Sequence, residues 1–145
     1  MKEHRLIFLL SKAQHKLGVY LKKALSEQGV QVTGVQVGIL FLLKQRAQTM
    51  TELSRELMID NSAITGLVDR LERSGFVRRE INPGDRRAFR ISITEKGLAE
   101  VEAARHVVHR VNAEIQAGFS PEEVEAFKAV LNGMLTRFET PSVPN

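Results

Sequence analysis

The chain has 145 residues, 43% of them hydrophobic and 26% charged, with a formal net charge of +4 and no cysteine. A chain of this length buries roughly 68–70% of the surface its unfolded form exposes, so one domain, or a small domain with extra helices needing a partner, folds without a disulfide or metal staple. The lack of cysteine excludes thiolate metal sites, nucleophilic thiols and thiol redox sensing. It also fits a reducing compartment. An apolar run such as Leu6–Leu10 is far short of the ~20 residues that cross a bilayer, and no small-residue cleavage site follows it, so a cytoplasmic protein with no membrane partner is expected.

From Met1 to Gln28 the sequence predicts one helix, with apolar residues at Leu6, Leu10, Leu17, Leu21 and Leu25 and a stop at Gly29. Such a helix is about 42 Å long, more than a small domain needs to cover its own core, and packing on another subunit is expected. Thr33 and Gln36 form a capping box for a second helix to Gln45, with Val32 and Val37 placed as a hydrophobic staple. Thr51 can cap a short helix, Glu52 to Met58, and Asp60 another, Asn61 to Ser74, whose buried stripe is Ile64, Leu67, Val68 and Leu71. Two helices joined by a tight turn predict a helix-turn-helix.

From Phe76 the period becomes alternating. Phe76–Ile81 and Phe89–Ile93 flank a turn at Asn82–Asp85, which gives a β-hairpin with a basic tip. Thr94 opens a long helix to about Ala117. Ser120, Pro121 and Glu123 then start a last helix, with Phe119 and Val124 as its staple and an apolar stripe of Val124, Phe127, Leu131, Met134, Leu135 and Phe138. The tail from Thr140 is expected to be disordered. The fold class is therefore mainly α with a small β-hairpin wing, a winged helix-turn-helix over residues 31–99, with 1–30 and 100–145 as a helical dimerisation region.

The charge is concentrated in this central region. Seven arginines between Arg70 and Arg90 face three carboxylates, a local excess equal to the whole chain's +4. Concentrated positive charge beside a helix-turn-helix points to double-stranded DNA. The second helix of the motif offers Asn61, Ser62, Ala63, Thr65, Gly66, Asp69, Arg70 and Arg73 to a major groove, and its N-terminus can bind a phosphate through free N–H groups. The alternative for the polar positions is an ordinary solvated face. At the wing, Arg86 and Arg87 can enter a minor groove, joined by Arg90, while Asp85 is expected to pair with Arg87 and fix the wing's shape. The alternative there is an exposed turn with solvated charges.

The stretch Asp85-Arg86-Arg87-Ala88-Phe89-Arg90-Ile91-Ser92-Ile93-Thr94-Glu95-Lys96-Gly97 resembles the signature of the MarR family, with Ile93 where the pattern has Leu. Asn61 to Glu72, Ser74 to Val77, and Thr33 to Leu43 also look like its recognition helix, wing entry and second helix. Gly66 departs from the many relatives that have a larger or basic residue there. The resemblance implies an intertwined homodimer that presents two recognition helices to successive major grooves of a pseudo-palindromic operator, usually as a repressor. It further implies a small aromatic or anionic effector bound between the dimer region and the winged domain, where His4, Phe8, His15 and Val35 are conceivable wall residues.

Rival functions find less in the sequence. His106 and His109 share a helix face and could suit a zinc-responsive regulator, but two imidazoles are half a tetrahedral site, and two surface histidines with no metal are expected. No Gly-rich phosphate loop, HExxH or nucleophile elbow is present, so neither an enzyme nor a cofactor is expected. A winged helix can also serve as a protein-interaction module, although such a module has no need of a cationic wing beside a polar helix.

Overall fold

The computed structural model describes residues 5–139, with the side chains of Arg86, Arg87 and Ala88 outside that description. In chain order the elements are α1 (Leu6–Glu27), α2 (Gly34–Gln45), β1 (Gln48–Thr49), α3 (Met50–Leu57), α4 (Asn61–Arg73), β2 (Val77–Asn82), β3 (Asp85–Ile93), α5 (Glu95–Gln116) and α6 (Pro121–Arg137). The chain divides into two units, Met1–His109 and Arg110–Asn145. His4 and the tail from Thr140 lie outside the described residues, as does the expected start of the first helix before Arg5.

The first unit is built around α2. Its Thr33–Gln36 capping box forms as expected: Gln36 N–H donates to Thr33 Oγ1, and Thr33 N–H donates to Gln36 Oε1 at 3.0 Å. The satisfied amide lets Gln36 be buried beside Val37, Ile39, Leu40 and Leu43. Around α2 lie Leu25 of α1, Leu53 of α3, Ile64, Val68 and Leu71 of α4, Ile91 of β3 and Val101 of α5, all buried. Of the stripe expected on α4, Ile64, Val68 and Leu71 enter the core and Leu67 is half-buried. On α1 the stripe is buried only near its end, and Leu6 and Leu17 stay exposed.

Two expectations need correction. The cap of α3 is Thr49 rather than Thr51: Thr49 Oγ1 accepts from Glu52 N–H at 3.1 Å, and the helix starts at Met50. Thr49 wins because strand pairing with Arg90 holds it extended, as an N-cap must be. That pairing also adds a third strand to the expected hairpin, in the order β1-β3-β2, all antiparallel. Gln48 anchors it, its Nε2 donating to the carbonyl of Leu42 at the end of α2.

Gly75, at φ 84°, ends α4 and turns the chain into β2. Thr94 Oγ1 accepts from Gly97 N–H at the start of α5 and donates to Gly75 O, so one hydroxyl ties the helix to that turn. In the second unit α6 carries the predicted capping box, with Ser120 and Glu123 bonded reciprocally and Pro121 in the first turn. Phe119, expected to staple against Val124, is 62% exposed, and α6 has no buried residue.

Candidate nucleic-acid interface

Helices α3 and α4 are joined through Met58, whose φ of 55° is the one left-handed conformation of a non-glycine residue among those described. Asp60 caps α4. Its carboxylate accepts from Ala63 N–H at 2.8 Å and from Ser62 Oγ at 2.7 Å, and these bonds, the first foremost, hold it below its ordinary pKa. With Ile64, Val68 and Leu71 in the core, the faces left outside carry Ser62, Ala63, Thr65, Arg70 and Arg73 exposed, and Asn61, Gly66 and Asp69 half-buried. Thr65 Oγ1 donates back to Asn61 O at 2.8 Å. A Cβ on Gly66 would sit 3.7 Å from Arg70 Nη2, so the arginine lies back over the glycine. Arg70 and Arg73 occupy the last turn, where the helix dipole favours cations.

The hairpin projects from the core by its register. Val77↔Ile93, Arg79↔Ile91 and Ile81↔Phe89 share one face, and Arg78↔Ser92 and Glu80↔Arg90 the other. The first face is buried at its base and open at its end: Val77 and Ile91 are buried, whereas Ile81 and Phe89 are 66% and 52% exposed. Pro83 and Gly84 make the turn, which Asn82 closes by accepting from Gly84 N–H at 3.1 Å.

The seven arginines divide among different tasks. Arg78 Nε donates to Glu80 Oε1 at 3.0 Å, and Arg90 Nη2 lies 3.8 Å from Glu80 Oε2, with Arg90 Nε buried and without a partner among the described residues. Hydrogen bonds from Arg78 first and Ser92 second hold the Glu80 carboxyl below its usual range. Arg79 points the other way, bonding Asp69 through Nη2 and approaching Glu72 at 3.6 Å through Nη1. Asp85 begins β3 opposite Asn82, but its expected partner Arg87, like Arg86, has its side chain outside the described residues. Sequence reasoning counted Arg78 and Arg79 and gave neither a task. The signal was present in the alternation, which puts Arg79 on the face of Val77.

The conceivable effector residues are scattered. His15 lines an open groove of about 430 Å³ along α1 with Ser11, Gln14, Gly18, Val19 and Lys22. A second groove of about 360 Å³ lies at the end of α1, among Lys22, Ser26 and residues 29–33. Phe8 and Val35 line neither and are each 45% exposed. His106 is exposed, 3.9 Å from Glu102, and no group of three or more potential metal ligands occurs among the described residues.

The MarR family model matches residues 32–89, from just before the cap of α2 into β3. The chain is 25% identical over 118 residues to the HTH-type transcriptional regulator BilQ of Clostridioides difficile (strain CD3), covering 81% of this chain and 79% of that one. Among solved structures it is similar to a mutant MarR from E. coli complexed with operator DNA, at 27% identity and a TM-score of 0.82 over 90% of this chain and 93% of that one. It is also similar to the transcriptional repressor CouR bound to a 23-mer DNA duplex, at 25% identity and a TM-score of 0.82 over 90% and 92%. Residues 32–89 are thus similar to the MarR family, and the chain as a whole is similar to regulators of that type. The stretch that matches the MarR model contains the helix-turn-helix and most of the wing.

Proposed function

We propose that the protein is a homodimeric repressor that binds a pseudo-palindromic operator and is released by a small aromatic or anionic effector. Each recognition helix α4 enters a major groove and each wing the flanking minor groove. Asn61, Ser62, Ala63, Thr65 and Gly66 face base edges near the helix N-terminus. Arg70 and Arg73 reach phosphates or bases, and Asp85, Arg86, Arg87 and Arg90 shape and charge the wing. Residues 31–99 act as the reader, and 1–30 with 100–145 as the dimerisation region. The protein works in the cytoplasm and has no catalytic role.

The observation that carries this proposal is α4 itself: a well-capped helix that buries Ile64, Val68 and Leu71 in the core while Ser62, Thr65, Arg70 and Arg73 stay exposed. Dimerisation is supported by the apolar side chains left outside on α1 and α6, and the repressor role by the similarity to CouR. No helix among the described residues is long and apolar enough to cross a membrane.

The test is a fluorescence titration with upstream-region and random DNA at several salt concentrations. The expected result is sequence-dependent binding whose affinity falls steeply with salt, by a log–log slope of about 0.9 per phosphate contact. Equal, salt-independent binding to both DNAs would sink the proposal. In the same assay, aromatic carboxylates are expected to include one that releases the DNA.

A further inference from the structure

We propose that Arg79 is a positioning residue that tethers the wing to the recognition helix, with Asp69 and Glu72 as its counter-ions rather than as groups offered to nucleic acid. The inference rests on the DNA-reader proposal and assigns how two of its parts are held together. Asp69 and Glu72 stand three residues apart on α4, one above the other on the same helix face. A planar guanidinium can address two such carboxylates at once, and Arg79 does so, Nη2 bonding Asp69 while Nη1 lies 3.6 Å from Glu72. The side chain is 30% exposed and those of its two partners about 40%.

The position along the strand gives the contact its importance. On this face of β2, Val77 is 2% exposed and Ile81 66%, so apolar anchoring stops after Val77. Arg79 is the next residue on that face, and its ion pairs to Asp69 and Glu72 fasten it to α4. Without it β2 beyond Val77 loses its ion pairs to α4, the hairpin there keeps only the buried Ile91 and the pairing of β3 with β1, and two half-buried carboxylates on the DNA-reading helix lose this cation. The bond keeps the spacing between α4 and the wing fixed, which matters because the two must enter different grooves together.

The variants Arg79→Met, Asp69→Asn and the pair combined distinguish the roles. In DNA-free protein, hydrogen exchange of the β2–β3 amides is expected to quicken about tenfold in Arg79→Met as local opening becomes easier. Asp69→Asn should add little to this in the double variant, because both remove the same tether. Operator affinity of Arg79→Met should fall about tenfold with an unchanged log–log salt slope, since the slope counts neutralised phosphates and Arg79 neutralises none. Arg79→Lys, which keeps the charge but reaches one carboxylate at a time, should fall between. A slope reduced by about 0.9 with undisturbed wing exchange would show Arg79 on a phosphate and overturn the tether. Unaltered exchange and affinity together would overturn it as well. If the wild-type chain bound no DNA, the reader proposal would fail, and wing exchange would still decide whether Arg79 holds the hairpin.

Discussion

A Cβ at position 97 would collide with the carbonyl oxygen of Phe76 and approach Ile93 Cγ1 to 2.6 Å. The first turn of α5 therefore crosses the start of β2 at backbone contact, and only glycine allows that approach. Lys96 strengthens the same junction, donating to Ser74 O at 2.6 Å at the end of α4 and lying over the Phe76 ring. Alanine at an ordinary helix position would gain about 1 kcal/mol over glycine. Here the collision with fixed backbone should reverse the sign, and Gly97→Ala is expected to destabilise by about 3 kcal/mol, the upper end of overpacking costs. Urea unfolding measures this, and a midpoint equal to or above wild type would show that the junction is loose. The resemblance to the MarR signature picked out this glycine, but the reason for it is a contact with Phe76, which lies far from it in the chain. Met58 is the opposite case: nothing in its residue type announces a left-handed turn.

At the scale of elements, what was legible in the sequence was what depends on neighbours three or four residues away. The boxes at Thr33 and Ser120, the cap at Asp60 and the core stripe of α4 all fell where local chemistry put them. Strand β1 was not legible, because two residues carry no period, and its pairing with β3 displaced the cap of α3 from Thr51 to Thr49. The Arg79 bridge joins residues ten apart across two elements, so periodicity could name its face but not its partners. The cap of α4 gives a pH prediction with a definite sign. Bonds from Ala63 N–H and Ser62 depress the Asp60 pKa in the folded state below its ordinary 3.8. Its stabilisation is then complete above about that ordinary value and lost as pH falls through the depressed one. Asp60→Ala should lower the melting temperature near neutral pH, and the gap between variant and wild type should close as the pH falls through the depressed pKa. A gap that persisted in acid would mean that the carboxylate bonds do not hold the helix start.

At the scale of the molecule, the apolar surface left outside is what the proposed second copy would cover. Leu6 and Ile7 on α1 are 73% and 70% exposed; Phe127, Val130 and Leu135 on α6, and Phe138 that caps its end, are each more than half exposed. Helix α6 nevertheless has a full capping box and a proline in its first turn, so its ends are well specified while its apolar residues have no cover within its own unit. Fully burying one such side chain is worth about 1.5–3 kcal/mol, and several together suffice to drive association. A partner chain that covers these faces would also fix the distance between the two copies of α4, which successive major grooves require to be about 34–36 Å. A double variant, Phe127→Glu with Leu135→Glu, is therefore expected to convert a dimer into a monomer at micromolar concentration in sedimentation equilibrium. Its far-ultraviolet circular dichroism should lose no more than α6, because the winged unit carries its own core. The monomer should retain weak, salt-sensitive binding to single half-sites and lose preference for the two-fold operator. A variant that remained dimeric would place the interface elsewhere, and a wild-type chain that sedimented as a monomer would remove the geometric basis for a palindromic operator.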